Sequence, residues 1–321
     1  MSAASASSLR ARIAKLYDDR YGVAVDPEQI VMTAGASPAL VLALMMRFQP
    51  GDRVAIARPG YVAYRNTLKA LHMQPVEIDC GPEVRFQLTA EALRALDPAP
   101  AGVIIASPAN PTGTIIPEAE LKAIAEVCRE RNISVISDEI YHGLSYTGPM
   151  PSMLQFEPNA LIVNSFSKYW SMAGWRLGWL LLPEAEVPQA RARVGNMFLT
   201  PATLSQHAGL IAMDCETELE ANIDVYRANR ALMLDALPAM GLRSIAPPDG
   251  AFYIYADIGH LTDDSIGFCE ALLRETGVAT APGVDFDPVN GHRFIRFSFA
   301  VSTPQVEDAL SRIKPFFAAR A

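Results

Sequence analysis

Short apolar runs alternate with segments of helical periodicity along the first 200 residues of the chain. The runs are rich in Val, Ile and Leu and are continuous rather than alternating, which is typical of strands that are buried on both faces of a sheet. This pattern predicts an α/β fold with a mostly parallel sheet and helices on both of its faces. The predicted strands are Ile30–Met32, Arg53–Ala57, Pro75–Ile78, Val103–Ala106, Ile133–Ser137, Leu161–Val163 and Trp179–Leu182.

The pattern changes after residue 202. Helical periodicity continues to about residue 236 and breaks at Pro238 and Gly241, which predicts one long helix. Three strands (252–256, 277–281 and 294–299) and two helices (265–276 and 304–318) follow. We therefore predict a large domain over residues 1–235, which includes the long connecting helix, and a smaller α+β domain over residues 236–321.

Composition restricts the class of partner. The 321 residues carry a net charge of −8, and no run of Lys and Arg is dense enough to neutralise a nucleic-acid backbone. Apolar stretches are shorter than the ~18 to 20 residues that span a bilayer, and the first residues lack the apolar core of a secretory signal. We expect a soluble, cytoplasmic protein that binds neither nucleic acid nor membrane.

Cysteine and histidine spacing gives no sign of a disulfide framework or a metal site. The four cysteines are scattered among apolar neighbours, and we predict that they are buried, reduced thiols. They are Cys80, Cys128, Cys215 and Cys269.

Lys168 has the most informative surroundings of any residue in the chain. It follows an apolar strand, with Ser165 and Ser167 before it and Arg176 eight residues after it. An amine can form a Schiff base with an aldehyde, while hydroxyls and a guanidinium can hold a phosphate. Lys168 by itself would be read as a surface lysine, but the combination predicts pyridoxal phosphate as the cofactor.

A second anion site is predicted where the strand at 30–32 ends. The segment from Thr33 to Pro38 leads into a helix, and we predict Ser37 as its N-cap with Pro38 in the first helical position. The free N–H groups and the positive end of a helix attract anions. Gly35, Ala36 and Ser37 are therefore predicted to contribute to phosphate binding.

Three polar residues follow predicted strands on the same edge of the sheet. Asp138 could stabilise a protonated pyridine nitrogen, although a lone aspartate here would more often be a helix N-cap. Asn110 and Tyr141 could both reach the phenolic oxygen of the cofactor. The alternatives are that Asn110 belongs to an Asn-Pro turn and that Tyr141 is a core aromatic residue.

The segment 164–178 resembles the Schiff-base motif of the class I and II aminotransferases, which are fold type I enzymes that use pyridoxal phosphate. Four other segments resemble further motifs of this family, in the same order and at similar intervals. They are Ala106–Gly113, Ser137–Tyr141, Gly250–Tyr253 and Arg296–Phe299. The resemblance extends from about Leu9 to near the end of the chain.

This resemblance implies a homodimer that moves an amino group between an α-amino acid and a 2-oxo acid by a ping-pong mechanism. It implies that Lys168 forms the Schiff base and then acts as general base, and that Tyr61 stacks on the cofactor ring. Arg296, with Asn110, would bind the substrate α-carboxylate. Arg293 is the alternative for the carboxylate, and a core position is the alternative for Tyr61.

The motifs leave other functions open. The same machinery supports amino-acid lyases that catalyse β-elimination or decarboxylation, and related domains act as sensors that bind the cofactor without turnover. The uncharged Ser37, where dicarboxylate-specific relatives can have a cation, favours substrates with neutral or aromatic side chains. The family also has several dozen residues before the helix at Leu9, so we expect that this chain is truncated at its N terminus.

Overall fold

The computed structural model describes residues 2–320. Ten helices of more than one turn are found among these residues: α1 (Ser2–Tyr21), α2 (Ala36–Arg47), α3 (Val62–Ala70), α4 (Ala90–Ala95), α5 (Glu118–Glu130), α6 (Val187–Met197), α7 (Thr203–Ala212), α8 (Glu216–Ala239), α9 (Ser265–Thr276) and α10 (Thr303–Ala318). The strands in the same range are β1 (Ile30–Thr33), β2 (Arg53–Arg58), β3 (Gln74–Asp79), β4 (Gly102–Ala106), β5 (Ser134–Asp138), β6 (Leu161–Ser165), β7 (Gly178–Leu181), β8 (Tyr253–Asp257), β9 (Ala281–Pro282) and β10 (Phe294–Ser298).

The first seven strands form one sheet in the order β1-β7-β6-β5-β4-β2-β3. Adjacent strands from β6 to β3 are parallel, and β7 runs antiparallel to both of its neighbours. All seven strands predicted from the sequence are present, each with ends within two residues of the prediction. The predicted α/β class with a mostly parallel sheet is confirmed.

Helices cover both faces of this sheet, which explains the continuous apolar runs. On β6, Ile162 packs into the cluster that contains Leu9 and Ile124, on the side of α1 and α5. Its neighbours Leu161 and Val163 point to the opposite face and pack into the cluster of α2, α3 and α6. Because successive side chains on a strand alternate between faces, both faces must be apolar here.

A smaller antiparallel sheet in the order β8-β10-β9 completes the structure. Its core includes Ile254 and Ile295 and side chains from α9, α10 and the last turns of α8, such as Leu237. The predicted boundary at residue 236 falls inside α8, and the division into two domains stays a prediction.

Two element predictions in this part of the chain are wrong. The predicted single helix over 202–236 is two helices, because the N–H groups of Asp214 and Cys215 bond three residues back, to Ile211 and Ala212, and close α7. The predicted strand over 277–281 is reduced to β9, because Gly277 adopts φ +73° as the C-cap of α9.

The cysteines are free thiols, and Cys80, Cys128 and Cys269 are buried as predicted. Cys215 is only partly buried, which corrects the prediction, since it lies in the short connection between α7 and α8. None of the helices in residues 2–320 has the length and apolar character needed to cross a membrane.

Candidate active site

A cavity of about 310 Å³ lies beyond the carboxyl ends of β4, β5 and β6, where open α/β sheets bind their ligands. Eight of the residues predicted to form the site line it: Ala36, Ser37, Tyr61, Asn110, Asp138, Tyr141, Lys168 and Arg296. Tyr64, Ile140 and Tyr253 also line the cavity, and the sequence analysis gave none of them a role. The predicted phosphate ligands Gly35, Ser165, Ser167 and Arg176 do not line it; they lie at the ends of β1, β6 and β7, next to the start of α2.

The turn at Gly35 brings α2 and Arg176 together. Gly35 has φ +98°, and a Cβ atom at this position would lie 2.7 Å from Nη2 of Arg176. A glycine is therefore required both by the backbone conformation and by the close approach of the guanidinium. The positive end of α2 and the Arg176 cation thus meet at one corner, which is suited to an anion.

The predicted N-cap at Ser37 is wrong. The helix α2 begins at Ala36 with Gly35 as its N-cap, and no side chain caps it. This leaves Ser37, which is exposed, in the first turn of the helix. Its hydroxyl is not used as a cap, so it is available for a ligand.

The serines near Lys168 lie beside the same corner. Gly178 of β7 is paired with Ser165 on one side and with Thr33 on the other, so the ends of β1 and β6 flank it. The Ser165 hydroxyl accepts a 3.1 Å hydrogen bond from the N–H of Ser167. The predicted phosphate ligands thus come from three chain segments that the sheet holds next to one another.

Asp138 is buried at the end of β5, and two donors hold its carboxylate. The Tyr64 hydroxyl donates to Oδ2 at 2.6 Å, and the N–H of Ile140 donates to Oδ1 at 3.1 Å. Burial raises the pKa of Asp138, while these hydrogen bonds and the charge of Lys168 oppose the rise. A second cation next to this carboxylate would therefore be strongly stabilised.

Tyr64 was missed by the sequence analysis. The sequence does indicate this residue by its spacing, because Tyr64 lies three residues after Tyr61 and thus one turn away at the start of α3. The two rings meet edge to face with centroids 5.4 Å apart. Tyr64 is buried, whereas Tyr61 is 38% exposed, so that only Tyr61 offers a free ring surface.

Lys168 is partly buried and lies close to aromatic rings. Its Nζ atom is 5.6 Å from the ring centroid of Tyr141 and 5.3 Å from that of Phe252. Burial lowers the pKa of Lys168, and the positive charges of Arg296 and Arg176 lower it further, against the opposing charge of Asp138. A lowered pKa increases the fraction of the neutral amine, which is the nucleophilic and basic form.

Arg296 is held in place but not neutralised. Its guanidinium carbon lies 4.4 Å from the ring centroid of Tyr253 and 4.7 Å from that of Phe286. Nη1 donates a 2.7 Å hydrogen bond to Oδ1 of Asn110, and the buried Nε atom has no partner among the described residues. A cation without a carboxylate partner, in a cavity, is suited to an anionic ligand.

Arg293, the alternative to Arg296, is engaged elsewhere. Its Nη2 atom forms an ion pair with Oδ2 of Asp257 at 2.7 Å. It also lines a different cavity, together with Tyr255 and Phe294. The geometry therefore favours Arg296 as the residue for a substrate carboxylate.

The side chains in and around the cavity fit pyridoxal phosphate. The corner at Gly35 and Arg176 can hold a phosphate, and Asp138 can hold a protonated ring nitrogen. Lys168 provides the amine, and the guanidinium of Arg296, which lines the cavity, can bind a carboxylate. These are the chemical groups that such a cofactor and an amino acid bring.

Comparison with known proteins agrees with this fit. Residues 3–313 match the family model described as aminotransferase class I and II. The chain is 50% identical over 309 residues to valine–pyruvate aminotransferase of Mycobacterium tuberculosis, covering 95% of this chain and 80% of that protein. It is 34% identical to aspartate/prephenate aminotransferase of Thermus thermophilus, covering 95% of this chain and 79% of that protein.

Solved structures show the same relationship. A crystal structure of an aminotransferase from Mycobacterium tuberculosis superimposes with a TM-score of 0.94 at 48% identity, and the match covers 98% of this chain and 82% of that one.

Proposed function

The chain belongs to the class I and II aminotransferases and is a pyridoxal-phosphate-dependent aminotransferase, and we propose that Lys168, Asp138 and Arg296 carry the reaction. The observation that carries this proposal is that Arg296, a cation with no acidic partner among the described residues, lines the same cavity as Lys168, an amine of lowered pKa. Arg296 binds the carboxylate of an α-amino acid, and Lys168 acts at the Cα atom of the same substrate.

Pyridoxal phosphate, when bound, supplies an electron sink for the negative charge that develops on the substrate Cα. Asp138 keeps a proton on the ring nitrogen by pairing with it, and Tyr64 holds the Asp138 carboxylate in place. Lys168 would move a proton between the substrate Cα and the C4′ carbon of the cofactor, since its lowered pKa increases the fraction of neutral amine that can accept that proton.

Asn110 and Tyr141 contribute to both ligands. Because Oδ1 of Asn110 already accepts from Arg296, its Nδ2 group is left to donate. We assign Nδ2 of Asn110 and the hydroxyl of Tyr141 as donors to the phenolic oxygen of the cofactor. Asn110 also fixes the Arg296 guanidinium, which orients the substrate carboxylate.

The phosphate and the ring face of the cofactor have the remaining proposed ligands. We assign Gly35, Ala36, Ser37, Ser165, Ser167 and Arg176 to its phosphate. Tyr61 is assigned to one face of its ring, because its ring is exposed at the cavity.

Amino donors with neutral side chains are the proposed substrates. Lys168 and Arg296 are the cationic side chains among the described residues that line the cavity, and both have roles at the reacting end of the substrate. Ser37 adds no charge, so a second carboxylate would find no partner there. The name of the 50% identical relative, valine–pyruvate aminotransferase, supports the same class.

A half-reaction experiment tests this function. The holoenzyme is mixed with one amino acid at a time, and the visible absorbance of the bound cofactor is followed. Valine should remove this absorbance faster than aspartate, and a 2-oxo acid should restore it, as a ping-pong mechanism requires. A lyase would release its product without needing the 2-oxo acid, and a sensor domain would show no turnover.

We also propose that two copies of this chain form a cytoplasmic dimer, with the corner at Gly35 and Arg176 near the interface. Large apolar side chains are exposed beside Arg176: Trp175 is 44% exposed, Leu199 73% and Leu204 70%. The Ser205 hydroxyl bonds the carbonyl oxygen of Trp175 at 2.8 Å, which joins these segments. An exposed apolar patch of this kind favours a protein partner.

Light scattering during size-exclusion chromatography tests the dimer. Leu199→Asp with Leu204→Asp should shift the molar mass towards that of one chain, because a buried charge opposes association. Val289→Asp, at another exposed apolar position, is the matched control and should leave the mass unchanged.

A further inference from the structure

Tyr253 lines the cavity, and its hydroxyl is hydrogen-bonded to that of Tyr141. The two hydroxyl oxygens are 2.8 Å apart, and either atom can be the donor. Tyr141 follows β5 of the large sheet and Tyr253 is the first residue of β8, so this hydrogen bond joins the two sheets. No other hydrogen-bond partner of the Tyr253 hydroxyl is found among the described residues.

The position of Tyr253 is fixed from the side of the large sheet. The N–H of Tyr146 donates to the carbonyl of Asp249 at 2.8 Å, and the N–H of Ala251 donates to that of Leu144 at 2.9 Å. The Tyr146 hydroxyl bonds the carbonyl of Ala251 at 2.6 Å. The segment that leads into Tyr253 is thus anchored to the loop that follows Tyr141, which keeps the two hydroxyls in register.

Proton counting decides the direction of this hydrogen bond. Burial raises the pKa of both Tyr141 and Tyr253, so each phenol keeps its single proton near neutral pH. Once the proton of Tyr141 is donated to the phenolic oxygen of the cofactor, the Tyr141 oxygen can only accept from Tyr253. Within residues 2–320, no other acceptor competes for the Tyr253 proton.

We propose that Tyr253 is a positioning residue that donates to Tyr141 and so strengthens the hydrogen bond from Tyr141 to the cofactor. Chains of hydrogen bonds strengthen one another in a low-dielectric site. The cation of Arg296, 4.4 Å from the Tyr253 ring centroid, makes this phenol a better donor. The inference rests on the proposed role of Tyr141 in the function given above.

Charged side chains lie close to both Tyr141 and Tyr253. Tyr141 faces Lys168 and Asp138, while Tyr253 faces Arg296 and the phenol of Tyr61. A hydrogen bond to the phenolic oxygen lowers the pKa that governs the cofactor absorbance, because it stabilises the form that has lost its proton. We call the two successive hydrogen bonds, from Tyr253 to Tyr141 and from Tyr141 to the cofactor, the relay. The relay therefore predicts that loss of the Tyr253 hydroxyl raises this pKa.

Absorbance titration of the holoenzyme against pH tests the relay. Tyr253→Phe should raise the pKa read from the cofactor absorbance by less than about one unit, and Tyr141→Phe should raise it more. In the Tyr141→Phe background, Tyr253→Phe should add nothing. Replacement of Tyr253 by 3-fluorotyrosine, a stronger donor, should lower the pKa read from the cofactor absorbance. This replacement provides the test if the Phe variant does not fold.

Tyr255→Phe is the matched control. Tyr255 lies two residues along the same strand, and its buried hydroxyl has no partner among the described residues, so its removal should leave the titration unchanged. A fall in the pKa with Tyr253→Phe, or no change while Tyr141→Phe raises it, would overturn the relay. No change with Tyr141→Phe would instead remove the proposed role of Tyr141 and the relay together.

Discussion

The Tyr64 hydroxyl donates a 2.6 Å hydrogen bond to Oδ2 of Asp138, between the start of α3 and the end of β5. Both side chains are buried, so this bond is made in a low-dielectric environment where an ionised carboxylate needs partners. Tyr64 therefore helps to keep Asp138 ionised, which pairing with a protonated ring nitrogen requires.

Tyr64→Phe should lower kcat and weaken cofactor binding, and Asp138→Asn should do so more severely. Removal of one hydrogen bond to a charged group costs about 1.5 to 3 kcal/mol, which corresponds to roughly a 10- to 100-fold loss. Single-turnover kinetics and cofactor titration of the apoprotein measure the two effects. Tyr226→Phe, on α8, is the control, and equal losses in Tyr226→Phe and Tyr64→Phe would contradict the assigned link.

Lys168→Ala should give a folded protein that lacks transaminase activity and the visible absorbance of the lysine-linked cofactor. The reason is that Lys168 is the one lysine among the described residues that line the cavity. Activity assays and absorbance spectra measure the outcome. Lys122→Ala, at an exposed position on α5, should behave as the wild type; turnover by the Lys168 variant would refute the mechanism.

Arg296→Leu should raise KM for all α-amino acids together, because the substrates share the carboxylate that we propose this cation binds. We expect kcat/KM to fall roughly 10- to 100-fold, as for the loss of one charge-assisted contact. Arg293→Leu is the matched control, since Arg293 is paired with Asp257 outside the cavity. If the loss depends on the donor's side chain, Arg296 recognises that side chain instead.

The sequence predicted the sheet well because β6 and its neighbours are buried on both faces, which leaves continuous apolar runs that can be read directly. It also brought together Lys168, Asp138 and Asn110, since each follows one of these strands. The relations of Tyr64 with Asp138 and of Tyr253 with Tyr141 could not be predicted, because they join residues 74 and 112 positions apart.

Backbone conformation explains the other failures. The start of α2 was misplaced because Gly35 adopts a positive φ beside Arg176, a residue far along the chain. The predicted strand at 277–281 failed because Gly277 could be read either as a strand residue or as a helix C-cap. In both cases, glycine permits a conformation that only the tertiary structure selects.

Glu139, the residue after Asp138, is buried as well. Its carboxylate accepts hydrogen bonds from the Ser152 hydroxyl at 2.9 Å and from the N–H of Met153 at 3.0 Å. Burial nevertheless raises the pKa of Glu139 to about 7. His142 lies 3.5 Å away but brings no charge, because burial lowers its pKa to about 3.

A carboxyl group whose pKa is higher in the folded than in the unfolded state binds more protons when folded. Its contribution to stability is therefore fully present below the unfolded pKa and is lost as the pH rises through the folded one. The free energy of unfolding of the apoprotein should thus fall between about pH 5 and pH 7 through Glu139. Glu139→Gln cannot ionise and should lack this part of the decrease, so the variant should gain stability relative to the wild type across the same range.

Urea denaturation at several pH values measures the difference, with the exposed Glu126→Gln as a control whose difference from the wild type stays flat. Other groups that titrate in both proteins, such as Asp138, largely cancel in this comparison. A difference for Glu139→Gln that is also flat would mean that Glu139 ionises in the folded protein at its ordinary pKa, with its hydrogen bonds offsetting the whole cost of burial.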